Sequence, residues 1–115
     1  RPRDPAVYYN RGELYARTGL YEEAVREYAE AIRIDPQNIP ARNNLGALYG
    51  KLGRYEAAMM EFQAVLRIDP EDAGAHYNLG MIYRIMGRPE QGMREFQAFE
   101  RLKDLPRDSG YRTAP

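Results

Sequence analysis

The sequence predicts an all-α fold, a helix-turn-helix repeat solenoid of six main helices, built as one domain over residues 1–115. Three observations predict it. The stretch 43–70, NNLGALYGKLGRYEAAMMEFQAVLRIDP, has two further copies, one 34 residues earlier and one 34 later: 9–36 reads YNRGELYARTGLYEEAVREYAEAIRIDP and 77–104 reads YNLGMIYRIMGRPEQGMREFQAFERLKD. A fixed period of this size marks stacked supersecondary units, each of which hides its apolar face only against a neighbour. Gly19, Gly53 and Gly87 fall at one place in the three copies, where glycine just past a helix end takes the left-handed conformation without a side-chain penalty. Ala24, Val25, Tyr28, Ala31 and Ile32 recur at steps of three and four, the spacing of one buried helical face.

The elements follow in order. Residues 1–5 (RPRDP) are a polar lead-in, in which Asp4 is placed to cap a helix and Pro5 to open it. Helices are expected over 6–18 and 21–34, with Asp35-Pro36 as the stop. The next pair is expected over 39–52 and 55–68, stopped by Asp69-Pro70, and the last over 73–86 and 89–103. The repeats then occupy 5–38, 39–72 and 73–106, followed by a tail, 107–115. The short turns require antiparallel neighbours. Gly12, Gly46 and Gly80 lie mid-helix, where glycine costs about 1 kcal/mol against alanine. Such a cost repeated in register points to close helix crossings, with Ala24 and Ala58 as small partners and Tyr or Phe beside them.

These residues resemble the tetratricopeptide repeat family. The middle copy carries Leu45, Gly46, Tyr49, Ala58, Phe62 and Pro70 at that family's spacings. The first carries Tyr8, Gly12, Tyr15, Ala24, Tyr28, Ala31 and Pro36, and the third Leu79, Gly80, Tyr83 and Phe96. The resemblance runs from about Pro5 to Asp104 and implies a right-handed superhelix.

The outer copies depart from the pattern where a neighbour would be missing. Arg11 and Thr18 stand where later copies have Leu45, Leu52, Leu79 and Met86, so this face is expected to lie near an end of the stack. In the third copy Gly92 replaces the small alanine, and Phe99 stands in the place of Ala31. The proline- and glycine-bearing tail does not read as a helix. Met93, Phe96, Phe99 and Leu102 are therefore expected to be partly uncovered, and either to self-associate or to be covered by the tail.

Composition narrows the function. Seventeen basic and seventeen acidic residues cancel, which disfavours a nucleic-acid surface or an anionic-membrane surface. No apolar run reaches the roughly 18 residues of a membrane span, and the default expectation is a soluble, cytoplasmic chain. With no Cys, one His and one Ser, no nucleophile–base pair, zinc spacing or phosphate loop can be assembled, so no enzyme activity and no cofactor or metal is expected. His76 reads as a partly buried packing residue, the five Met residues as core or groove filling, and Glu22-Glu23 as favourable to a helix dipole.

What remains is binding. Asn10, Asn44 and Asn78 are 34 residues apart, each two before the mid-helix glycine. Asn is a middling helix former, so propensity does not account for three in register. In the family, first helices line a concave face, and this column resembles the asparagine ladder of O-linked N-acetylglucosamine transferase, whose amides grip an extended peptide main chain. An amide offers both donor and acceptor for that task. Plain consensus versions of the repeat also carry Asn there with no ligand implied. Helical spacing adds Tyr9, Asn43 and Tyr77 one residue before the column, Glu13, Ala47 and Met81 three after, and Arg17, Lys51 and Ile85 seven after.

The resemblance also allows one ligand class to be weighed. Related modules hold the acidic carboxyl termini of heat-shock chaperones with two Asn, two Lys and an Arg. The matching positions are Tyr9, Glu13, Asn44, Gly74 and Asn78; only Asn44 fits, so this ligand is disfavoured. The expectation is a non-catalytic protein-protein interaction module, a scaffold or adaptor holding a partner's peptide in its groove. The alternatives are a structural element forming homo-oligomers through repeat ends or a tail-in-groove contact anchored by Tyr111, and an accessory domain of a larger enzyme.

Overall fold

The computed structural model describes residues 3–106, which form six α-helices and, among the described residues, no strand. They are α1 (Pro5–Arg17), α2 (Tyr21–Ile34), α3 (Ile39–Lys51), α4 (Tyr55–Ile68), α5 (Ala73–Ile85) and α6 (Pro89–Leu102). Packing is sequential: each hairpin is the most extensive contact, each hairpin meets the next, and α3 also touches α5. The hairpins stack into a helix-turn-helix solenoid, a slab 43 × 42 × 22 Å. The predicted tail and its Tyr111 lie outside the described residues.

Helix starts are set by a column of side chains. Asp4, Asn38 and Asp72, 34 apart, accept from the N–H of Ala6, Ala41 and Ala75 at 2.9, 3.1 and 2.9 Å. Each satisfies one of the orphan donors of a helix N-terminus. Only the first of these caps was legible in the sequence.

The first helix of each pair ends one residue earlier than expected, with Thr18, Leu52 and Met86 acting as C-caps. The glycines that follow have φ of +83°, +78° and +78°. They turn the chain so that Leu20, Arg54 and Arg88 donate back to the carbonyls of Tyr15, Tyr49 and Tyr83 at 2.9, 2.8 and 2.8 Å. This six-to-one bond closes the Schellman motif. The final helix likewise stops at Leu102, and Lys103 is its cap.

The mid-helix glycines mark the crossings. A Cβ on Gly12 would lie 2.8 Å from the Tyr28 ring, one on Gly46 2.8 Å from Phe62, and one on Gly80 2.8 Å from Phe96. The ring of each second helix therefore rests on the bare backbone of the first. Ala24 and Ala58 are fully buried beside these contacts. Gly92 stands in their place in the third hairpin, where a Cβ would sit 3.0 Å from the Gly80 carbonyl oxygen. That hairpin is closed too tightly for even an alanine without adjustment.

The two ends behave differently. The Arg11 guanidinium is held by Glu27 at 3.0 Å, and the Thr18 hydroxyl donates to the Leu14 carbonyl at 3.0 Å, so that face is solvated as expected. At the other end Met93 is exposed and Phe96 and Phe99 are half-buried, but Leu102, expected to be partly uncovered, is buried. It stands in the place of Ile34 and Ile68, and the turn after it folds back, with Leu105 N–H donating to the Leu102 carbonyl at 3.1 Å.

His76 is a structural residue. One column pairs the first helix with the second: Arg42 with Glu61 at 2.9 Å and His76 with Glu95 at 2.7 Å. The other side of each of these two side chains meets a proline carbonyl of the preceding turn. Arg42 Nε donates to Pro36 O at 2.9 Å, and His76 Nε2 lies 2.8 Å from Pro70 O. His76 thus takes the place of an arginine, with one ring nitrogen facing a carboxylate and the other a backbone carbonyl.

Candidate peptide-binding groove

The first helices α1, α3 and α5 present two adjoining depressions. One, about 270 Å³, lies where the first hairpin meets the second and is lined by Glu13, Arg17 and Tyr28 on one side and Asn44, Ala47 and Lys51 on the other. The second, about 290 Å³, lies between the second and third hairpins and is lined by Ala47, Gly50 and Phe62 and by Tyr77, Asn78, Met81 and Ile85. Ala47 belongs to both. Nine of the twelve predicted groove residues are brought together in these linings.

The other three are elsewhere. Tyr9 lies beneath the first depression, its hydroxyl donating to Glu13 Oε2 at 3.2 Å and accepting from Asn44 Nδ2 at 3.0 Å. Asn43 points into the joint, donating to Asp72 Oδ2 at 3.4 Å, with its own Oδ1 buried and unpartnered. Asn10 is exposed and lines neither of these two depressions, whereas Asn44 and Asn78 each line one. The reason is positional. Asn44 and Asn78 each sit at a joint with a preceding hairpin, and no described hairpin precedes Asn10.

The two remaining rungs differ in chemistry. Asn44 is committed: its Nδ2 reaches both the Tyr9 hydroxyl and, at 3.5 Å, the Tyr28 hydroxyl. Burial holds both phenols above the ordinary tyrosine range; the Glu13 carboxylate pushes Tyr9 further up, and the Asn44 amide partly offsets the rise in each. At the second joint, Asn43 and Phe62 replace Tyr9 and Tyr28, so no hydroxyl awaits Asn78. Its amide makes no hydrogen bond to the described protein and faces a largely apolar hollow.

Charge is divided along the groove. Arg17 and Lys51 occupy the same place in successive repeats and are both exposed. Neither makes an ion pair among the described residues; Lys51 Nζ lies over the Tyr21 ring, 5.6 Å from its centroid. The third member of that column is Ile85, 52% exposed, and the lining of the second depression contains no cation. There Tyr77, 43% exposed, packs on Phe96 and Phe99 at 5.7 and 5.1 Å. Tyr21, Tyr28 and Phe62 were missed as lining because they come from second helices, although the register of Tyr28 and Phe62 with the mid-helix glycines signalled that their rings reach the first.

Among curated protein sequences none matches this chain. Several solved structures share its fold. A crystal structure of MamA superposes with a TM-score of 0.85 at 19% identity, covering 88% of this chain and 59% of that one. MamA 41-end from Desulfovibrio magneticus RS-1 gives 0.81 at 30%, covering 87% and 56%. The second tetratricopeptide module of Spaghetti (RPAP3), bound to the HSP90 peptide SRMEEVD, gives 0.82 at 22%, covering 86% and 92%. The chain therefore spans somewhat under two thirds of these two MamA chains. Family models described as TPR repeat match residues 18–53 and 51–87, and others described as tetratricopeptide repeat match 73–104 and 5–30. Matched in tandem from residue 5 to residue 104, the chain belongs to the tetratricopeptide repeat family.

Proposed function

We propose that this chain holds a segment of a partner protein in the groove formed by α1, α3 and α5. As a tetratricopeptide repeat protein it is a protein-interaction module. The observation that supports the finer reading is that the two depressions adjoin at Ala47 and so lie in succession along one face formed by α1, α3 and α5. An extended segment laid along it meets side chains at every repeat and the free Asn78 amide near one end. The RPAP3 module bound to an HSP90 peptide supports peptide binding as a use of this fold. The chaperone peptide itself is not the ligand assigned here, because Tyr9, Glu13 and Gly74 supply no cation at the clamp positions.

Photo-crosslinking tests this. A benzoylphenylalanine placed at Ala47 is expected to capture a partner in extracts of the source organism, and one at Met60, exposed but outside both depressions, is not. Equal capture at both positions, or none at Ala47, would remove the groove from consideration.

A second reading has its own observation. Phe99 stands where Ala31 and Val65, both fully buried, receive the next hairpin, and it is only half-buried. This favours self-association through α6. Sedimentation should then show a dimer that Phe99→Ser dissociates; a monomer at high concentration would exclude it.

A further inference from the structure

Resting on the groove reading, we infer that the ligand is bipartite: a carboxylate side chain at the first joint and a bulky apolar side chain at the second. The first joint holds two cations that make no ion pair among the described residues, Arg17 and Lys51, two turns along the helices from the Asn column. The one carboxylate in that lining, Glu13, already accepts from the Tyr9 hydroxyl at 3.2 Å. An acidic side chain brought to this end gains both cations and displaces no existing ion pair.

The second joint has the opposite character. Met81 and Ile85 stand where the first hairpin has Glu13 and Arg17, and Tyr77 closes the end over Phe96 and Phe99. A leucine- or phenylalanine-sized side chain fits a hollow of about 290 Å³ and removes the exposed Ile85 and Tyr77 surfaces from water. The Asn78 amide at its wall has no hydrogen-bond partner among the described residues, and it can take both a donor and an acceptor from the ligand main chain beside the apolar residue. A side-chain carboxylate reaches the two cations from within a chain, so the determinant is taken as internal to the partner chain.

Selection of random dodecapeptides displayed at the amino terminus of a phage coat protein, and so without a free carboxyl end, tests the inference. Amide chemical-shift changes in the labelled protein locate each selected peptide. The expected result is peptides that carry Asp or Glu and a large apolar residue a few positions apart and that shift Ala47, Lys51 and Asn78. Replacing the acidic residue by its amide should weaken binding about fivefold, as two exposed charge pairs warrant. Arg17→Glu with Lys51→Glu should turn the selection toward Lys and Arg, and Ile85→Lys should remove the apolar preference. Peptides that map to the groove but show neither preference would overturn the bipartite ligand and leave groove binding standing. Peptides that map elsewhere, or no peptides at all, would overturn both.

Discussion

The side-chain amide of Asn44 donates to the hydroxyl of Tyr9 at 3.0 Å, across the joint between the first two hairpins. Asn78, in the same place one repeat later, meets no such hydroxyl. Two residues that are identical in the sequence repeat therefore do different things. Asn44→Ala is expected to cost about 1 kcal/mol of stability, the worth of one net hydrogen bond. Asn78→Ala should stay within roughly 0.5 kcal/mol of the parent and weaken peptide binding instead. Urea unfolding of both variants, set beside a peptide titration, separates the structural rung from the binding one.

The two sets of glycines should fail for different reasons. At Gly46 an added Cβ meets Phe62, itself 1% exposed, at 2.8 Å. Overpacking of about 1–3 kcal/mol then outweighs the gain of about 1 kcal/mol in helix propensity. At Gly53 there is open space within 4 Å, and only the φ of +78° resists a side chain. Asn visits that conformation more readily than Ala. Thermal unfolding should show Gly53→Asn milder than Gly53→Ala, and Gly46→Asn no milder than Gly46→Ala.

Alkaline stability should depend on buried phenols. Tyr9, Tyr28 and Tyr49 are each raised above the ordinary value of 10.0, with burial the largest cause. The folded chain thus favours the neutral phenol. That contribution is complete below pH 10 and is lost as pH rises through the folded values. Phenolate absorbance should therefore appear late and accompany unfolding. Tyr9→Phe should remove one late-titrating phenol and lessen the alkaline loss of stability; an unchanged profile would count against it.

His76 should be replaceable by arginine. Arg42 makes the same two contacts one repeat earlier, so His76→Arg is expected to fold with stability within about 0.5 kcal/mol of the parent. His76→Leu leaves the Glu95 carboxylate and the Pro70 carbonyl without a donor and should cost about 1–3 kcal/mol. Denaturant unfolding distinguishes the two, and equal stability for Leu and Arg would refute the role.

What the sequence made legible was what repeats for a packing reason. Gly12, Gly46 and Gly80 betrayed the crossings because a bare backbone position has one physical use there, and Gly19, Gly53 and Gly87 betrayed the ends. The caps Asn38 and Asp72 went unread although they lie in register with Asp4. The groove was legible as a set of columns, since helical spacing decides which side chains share a face. The fate of each rung was not. Asn44 is tied down because Tyr9 and Tyr28 carry hydroxyls that Asn43 and Phe62 lack, and Asn43 turns aside because Asp72 stands across the joint. Both depend on residues a repeat away in three dimensions, which the spacing within one helix does not specify.

The ring-on-glycine contact is the same in all three hairpins, but the joints between them are not. The first is laced by phenol and amide, the second by Asn43 and Asp72 beside an apolar hollow, and both are less extensive than the packing inside a hairpin. Mechanically the molecule is three stiff tiles on two unequal hinges. A change in curvature, whether on seating a ligand or under a pulling force, would be taken up at the hinges, with each crossing keeping its angle.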